Sequence, residues 1–191
     1  PVGADLGFEE MEKQSRKDLN ALVEEFDLLK KIPHQEIIQY GSLQASINEL
    51  IEEHGVGLIV MGTHGASGLG GALLGSNSYH VMKNVNCPVI ALPTDADLSK
   101  MKHIALAGDY LSLPKPELIQ MVIDIAKAFY AQIHIIHIDK GHVVVKDQID
   151  IARAMERYLK NTNHSFHFRS FENVEDGLLE FASEMNIELL A

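Results

Sequence analysis

Short apolar runs alternate strictly with amphipathic helical stretches, which predicts an α/β chain. The expected architecture is an open parallel five-stranded sheet with helices on both faces, present as two tandem partial copies. Three observations carry this. Alternation of strands and helices implies parallel pairing with right-handed crossovers. Gly57-Leu58-Ile59-Val60-Met61 is apolar without interruption, as in strands covered on both faces. Finally, a shift of 131 positions lays one part of the chain over another.

The elements follow in order. Phe8, Met11, Leu19, Leu22, Val23, Phe26 and Leu29 recur at helical spacing, so a helix is expected from about Phe8 to Lys31. Glu36 to Tyr40 reads as a short strand. Ser42 is the N-cap of a helix whose stripe is Ile47, Leu50 and Ile51, and Gly55 ends it in a left-handed conformation. The buried strand to Met61, a glycine-rich loop, a helix from about Ser76 to Asn84 and a strand Pro88 to Leu92 come next. Pro93-Thr94-Asp95-Ala96-Asp97 reads as a linker. Beyond it come strand His103 to Ala107, helix Lys115 to Ala131 and strand Gln132 to Ile138. Helix Lys146 to Lys160, strand Ser165 to Phe171, helix Val174 to Met185 and strand Ile187 to Leu190 complete the chain.

Under the 131-residue shift, Ile47 falls on Leu178, Leu50 on Phe181, Leu58 on Leu189 and Ile59 on Leu190, while caps Ser42 and Gly55 fall on Asn173 and Asn186. The expected domains are 1–95 and 102–191. The first copy would lack its opening strand, helix and second strand. The second would stop before its own glycine loop, so the chain reads as a window on a longer tandem protein.

The 191 residues are 46% hydrophobic and 23% charged, ordinary globular values, and the formal net charge is −11. That charge argues against a duplex-binding protein, which needs a basic face to displace phosphate counterions. No apolar run approaches the ~20 residues that span a bilayer. Cys87 is the sole cysteine, which fits a reducing cytoplasm.

The chemistry-bearing stretch is Gly62-Thr63-His64-Gly65-Ala66-Ser67-Gly68-Leu69-Gly70-Gly71-Ala72-Leu73-Leu74-Gly75-Ser76-Asn77-Ser78. Its glycines permit close approach of a ligand to the backbone. It ends on a helix N-terminus, whose free N–H groups and dipole favour an anion. It also lies beyond the carboxyl end of a strand, where open α/β sheets bind ligands. Phosphate is the natural guest. A P-loop would need Lys where Ser76 stands, and a dinucleotide fingerprint would need glycine where Leu73 stands, so neither motif applies.

The spacing Gly62-x2-Gly65-x9-Gly75-Ser76, with Leu58-Ile59-Val60-Met61 before it and Cys87-Pro88-Val89-Ile90 after it, resembles the ATP-binding signature of the universal stress protein family in its tandem form. The resemblance implies a flavodoxin-like or adenine nucleotide alpha hydrolase-like fold and a stress-response or regulatory role. It implies ATP as ligand, with or without Mg²⁺, and at most slow hydrolysis. Gly62, Gly65, Gly75 and Ser76 would surround the phosphates and ribose, with Asn77 and Ser78 near the phosphates; Met61, Thr63 and His64 complete the expected site. It further implies that an Asp at the end of the first strand helps to hold adenine and ribose. Asp109 is the candidate in the second copy. By the same resemblance the Cys87-to-Leu92 strand lies at a sheet edge and pairs with a counterpart, in the other copy or in a homodimer.

Competing readings are plainer. The loop could be a mere strand-to-helix connection, and His64 simply exposed. His134 and His137 lie three apart on one strand, as do His164 and His167, so each pair faces opposite ways. No metal site is expected, and no catalytic residue stands out. A nucleotide-free dimerisation module of the same fold is the main alternative function. A transferase of related fold would need a further reactive motif after the loop.

Overall fold

The computed structural model describes residues 2–63, 75–140 and 146–191. They form α1 (Val2–Glu25), a 3₁₀ turn Leu29–Lys31, α2 (Leu43–His54), β1 (Ile59–Gly62), α3 (Ser76–Asn84) and β2 (Val89–Leu92). A 3₁₀ turn Leu98–Lys100, β3 (His103–Ala107), α4 (Pro116–Phe129), β4 (Gln132–Asp139), α5 (Lys146–Leu159), β5 (His164–Ser170), α6 (Val174–Glu184) and β6 (Leu189–Leu190) follow. The chain divides into two compact units, Pro1–Pro93 and Thr94–Ala191.

In the first unit β1 and β2 pair in parallel, from Ile59 opposite Val89 to Gly62 opposite Leu92. The Ser42 hydroxyl accepts the Ala45 N–H at 3.2 Å and Gly55 takes φ 62°, so both helix signals of α2 act as expected. Three corrections arise. The α1 helix stops at Glu25, ahead of the separate turn, and Ile32 is extended, as the residue before a proline prefers. Residues 36–40 form no strand, because no described segment offers them a ladder. Val60 is 57% exposed, so β1 is not covered on both faces within the described residues.

The second unit has a four-stranded parallel sheet in the order β5-β4-β3-β6. Among the described residues, the parallel sheet expected with five strands in each copy is found as one sheet of two strands and one of four. Strand number is set by which segments find partners. Alternation of side chains gives the four-stranded sheet two different faces. Ile104, Ile133 and Ile135 pack with Ile119, Ile123 and Ala126 of α4 and with Met155 and Leu159 of α5. Ala105, Ile136 and Ile138 face the other way, onto Phe181 of α6. Full burial of each isoleucine, leucine or methionine among them contributes roughly 1.5–3 kcal/mol.

Helix ends at positions 131 residues apart behave alike. Asn173 caps α6 by accepting the Glu175 N–H at 2.9 Å, as Ser42 caps α2. Asn186 takes φ 50° just beyond α6, where the shifted position Gly55 takes φ 62°. Asparagine is among the few residues with a side chain that accept this conformation.

Candidate functional site

In the first unit the site is the junction between β1 and α3. Pairing with β2 continues one residue past β1, because the Thr63 N–H donates to the Leu92 carbonyl at 2.9 Å. The chain returns at Gly75, whose N–H donates to the Thr63 carbonyl at 2.8 Å. A Cβ on Gly75 would collide with that same carbonyl oxygen. Glycine is thus required by close approach of two backbone segments.

Gly75 is the N-cap of α3 and brings no capping side chain. The first N–H groups of the helix, at Ser76, Asn77 and Ser78, have no intrahelical acceptor and sit at the positive end of its dipole. Ser76 and Asn77 are exposed, Gly75 is half-buried and Ser78 is buried. The Ser78 hydroxyl donates to the Gly62 carbonyl at 2.7 Å, tying the first turn of α3 to the end of β1. Among the expected site residues, Met61, Gly62, Thr63, Gly75, Ser76, Asn77 and Ser78 therefore gather at one strand end and one helix start. His64 and Gly65 lie outside the described residues.

Cys87 is buried, and its thiol donates to the Val56 carbonyl at 3.3 Å. Burial pushes its pKa up. A raised thiol pKa leaves little thiolate, so Cys87 is a packing residue.

In the second unit a cleft of about 440 Å³ opens at the carboxyl ends of β3 and β4. Ala107, Gly108 and Asp109 form its floor with Ile136 and Ile138; Val174 and Leu178 of α6 stand on one side. One Asp109 carboxylate oxygen accepts the Leu111 N–H at 2.9 Å, and the Gln148 amide donates to the Asp109 carbonyl at 3.2 Å. His137 Nδ1 donates to the Gly108 carbonyl at 2.8 Å, fixing the strand end from the opposite face. Sequence reasoning found Asp109 here but not Ser112, Pro114, Val174 or Leu178, which also line the cleft. The usable signal was that the ends of adjacent parallel strands share one rim.

Comparison with known proteins adds to this geometry. The model of the universal stress protein family matches residues 2–93. Universal stress protein G of Shigella flexneri is 31% identical over 86 residues, which are 44% of this chain and 59% of that protein. Universal stress protein MJ0577 of Methanocaldococcus jannaschii is 38% identical over 61 residues, 32% of each chain. The chain thus spans only part of the length of these curated relatives. The crystal structure of a universal stress protein from Archaeoglobus fulgidus matches 95% of this chain and 67% of its own, with a TM-score of 0.74 at 21% identity. That of a putative universal stress protein from Pseudomonas aeruginosa matches 90% and 64%, with a TM-score of 0.67 at 18% identity. At such identities the two structures establish the α/β fold. Over residues 2–93, the chain matches the universal stress protein family and is similar in sequence to members of it.

Proposed function

We propose that this chain is a nucleotide-binding module of a tandem stress-response protein, holding ATP by its phosphates at the start of α3. The match of residues 2–93 to the universal stress protein family supports the stress-response role. The observation that carries the ATP reading is the Gly75 junction. It delivers an uncapped helix N-terminus to the carboxyl end of β1, where backbone N–H groups can meet a phosphate. Among the described residues the donor set, neutral amides and hydroxyl-bearing side chains, suits a polyphosphate. In this reading the site binds ATP and turns it over slowly at most. Mg²⁺ would accompany the nucleotide as its counterion.

A second reading concerns Asp109. Its cleft has the volume of a small-ligand site, apolar along Ile136, Ile138, Val174 and Leu178 with a carboxylate at the rim. This combination suits a base and a ribose. The cleft is the second unit's nucleoside site in this reading. The nucleotide-free alternative differs from both in expecting no ATP affinity at all.

The substitution Asn77→Asp separates folding from binding. Asn77 is exposed in the first turn of α3, where a carboxylate favours the helix dipole. The variant should melt no lower than the parent, yet bind ATP at least tenfold more weakly, about 1.4 kcal/mol, because its charge opposes the phosphates. Isothermal titration of both proteins with ATP provides the comparison. Equal affinities would remove the α3 N-terminus from the site, and no binding by either protein would favour the nucleotide-free module.

A further inference from the structure

Three histidines from three adjacent strands meet on the α6 face of the second unit. His103 Nδ1 lies 3.0 Å from His134 Nε2, and His134 Nδ1 lies 3.1 Å from His167 Nε2. Register explains the meeting: His134 stands between Ala105 of β3 and Ser165 of β5, so the flanking histidines reach it diagonally. Ser165 Oγ lies 3.1 Å from His134 Nδ1 and 2.9 Å from His167 Nε2, and receives a hydrogen bond from the Gln132 amide at 3.2 Å. Phe181 of α6 closes the group from above, its ring centroid 4.9 Å from that of His167 and 6.3 Å from that of His134.

We propose that His103, His134 and His167, bridged across β3, β4 and β5 beneath Phe181, form a proton-sensitive latch that holds α6 against the sheet.

The neutral ladder is self-consistent. If His103 donates to His134, then His134 donates onward to His167 or Ser165; the reverse polarity serves equally. An added proton breaks this. A charged His134 becomes a donor at both nitrogens, so His103 and His167 must both accept, and a second proton on either places like charges about 3 Å apart. The charged groups around the ladder do not compensate. On β5, Arg169 is held by Glu184 of α6 at 3.0 Å. Glu188, between α6 and β6, binds the backbone N–H groups of Lys102 and His103. Glu175, Asp176 and Glu180 of α6 are exposed. His134 is 2% exposed, and burial, then His167 and His103, hold its pKa down at about 4. Burial and then Arg169 lower that of His167, against an opposing effect of Glu184.

The sign follows from linkage. A histidine with a lowered folded-state pKa gives stability that is complete above its unfolded value near 6.5 and is lost as pH falls toward 4. The loss should fall first on α6, because its contacts lie on the ladder. Since Val174 and Leu178 of the same helix line the Asp109 cleft, release would also open that cleft. The latch itself stands whether or not a nucleotide binds there.

Amide hydrogen exchange of the full chain at several pH values tests the proposal, with protection factors corrected for intrinsic exchange. Protection of α6 should fall roughly tenfold between pH 7 and pH 5, while α4, on the opposite face, keeps its own. His134→Gln, which cannot titrate, should remove most of the difference. Should that variant fail to fold, His167→Gln is expected to reduce it. Constant α6 protection across this range in the parent chain, or a parallel fall in α4, would overturn the latch. So would a folded variant that keeps the full pH dependence.

Discussion

Gly75 and the histidines show how much a single position depends on what lies opposite it. Gly75 was legible in the sequence as part of a spaced glycine signature, but its physical requirement was not. That comes from the Thr63 carbonyl, twelve residues earlier, against which a Cβ would collide. Gly75→Ala should therefore cost on the order of 1–3 kcal/mol by forcing the two segments apart. Denaturant unfolding monitored in the first unit measures this; a loss below about 0.5 kcal/mol would mean the junction relaxes freely. His164 and His167, three apart on β5 and facing opposite ways, also carry opposite electrostatics. Burial disfavours charge on His164, but Glu156 at 3.0 Å and the Thr162 carbonyl more than offset it, so its pKa is raised. Its stabilising effect is complete below the unfolded pKa and fades as pH rises, the reverse of His134. Period-two alternation told the two faces apart from sequence alone. The ladder stayed hidden because it depends on the register of three strands.

Elements were read best where their signals are local. Ser42, Gly55, Asn173 and Asn186 mark helix ends through contacts within a few residues, and all four act in the structure as cap or left-handed exit. Residues 36–40 were read as a strand from composition, but a strand exists only through a partner, and no described segment supplies one. One helix end carries avoidable strain. Tyr130 follows α4 with φ 54° and is 89% exposed, so it adopts a left-handed conformation with little packing in return. Tyr130→Gly should relieve this and raise stability by about 0.5–1 kcal/mol, seen as a melting temperature higher by a few degrees. A lowered melting temperature would show that the ring contributes more than the backbone strain costs.

At the scale of the molecule, alternation of strand and helix was enough for the fold class, and two compact units separate at Pro93 and Thr94. The number of strands per sheet was not legible, since it depends on which segments pair rather than on their composition. The same holds for the candidate sites. The sequence identifies Gly75 and Asp109, but only the fold shows that Gly75 meets the end of β1 at the start of α3 in the first unit, and that Asp109 shares a cleft with Val174 and Leu178 of α6 in the second. The most direct test of the central claim, phosphate binding at α3, is amide-resolved NMR of the full chain titrated with ATP and, separately, with adenosine. ATP should produce its largest shifts at the Ser76, Asn77 and Ser78 amides, and adenosine should leave those three nearly unmoved. An ATP titration that leaves the start of α3 unchanged while other amides shift would contradict the account.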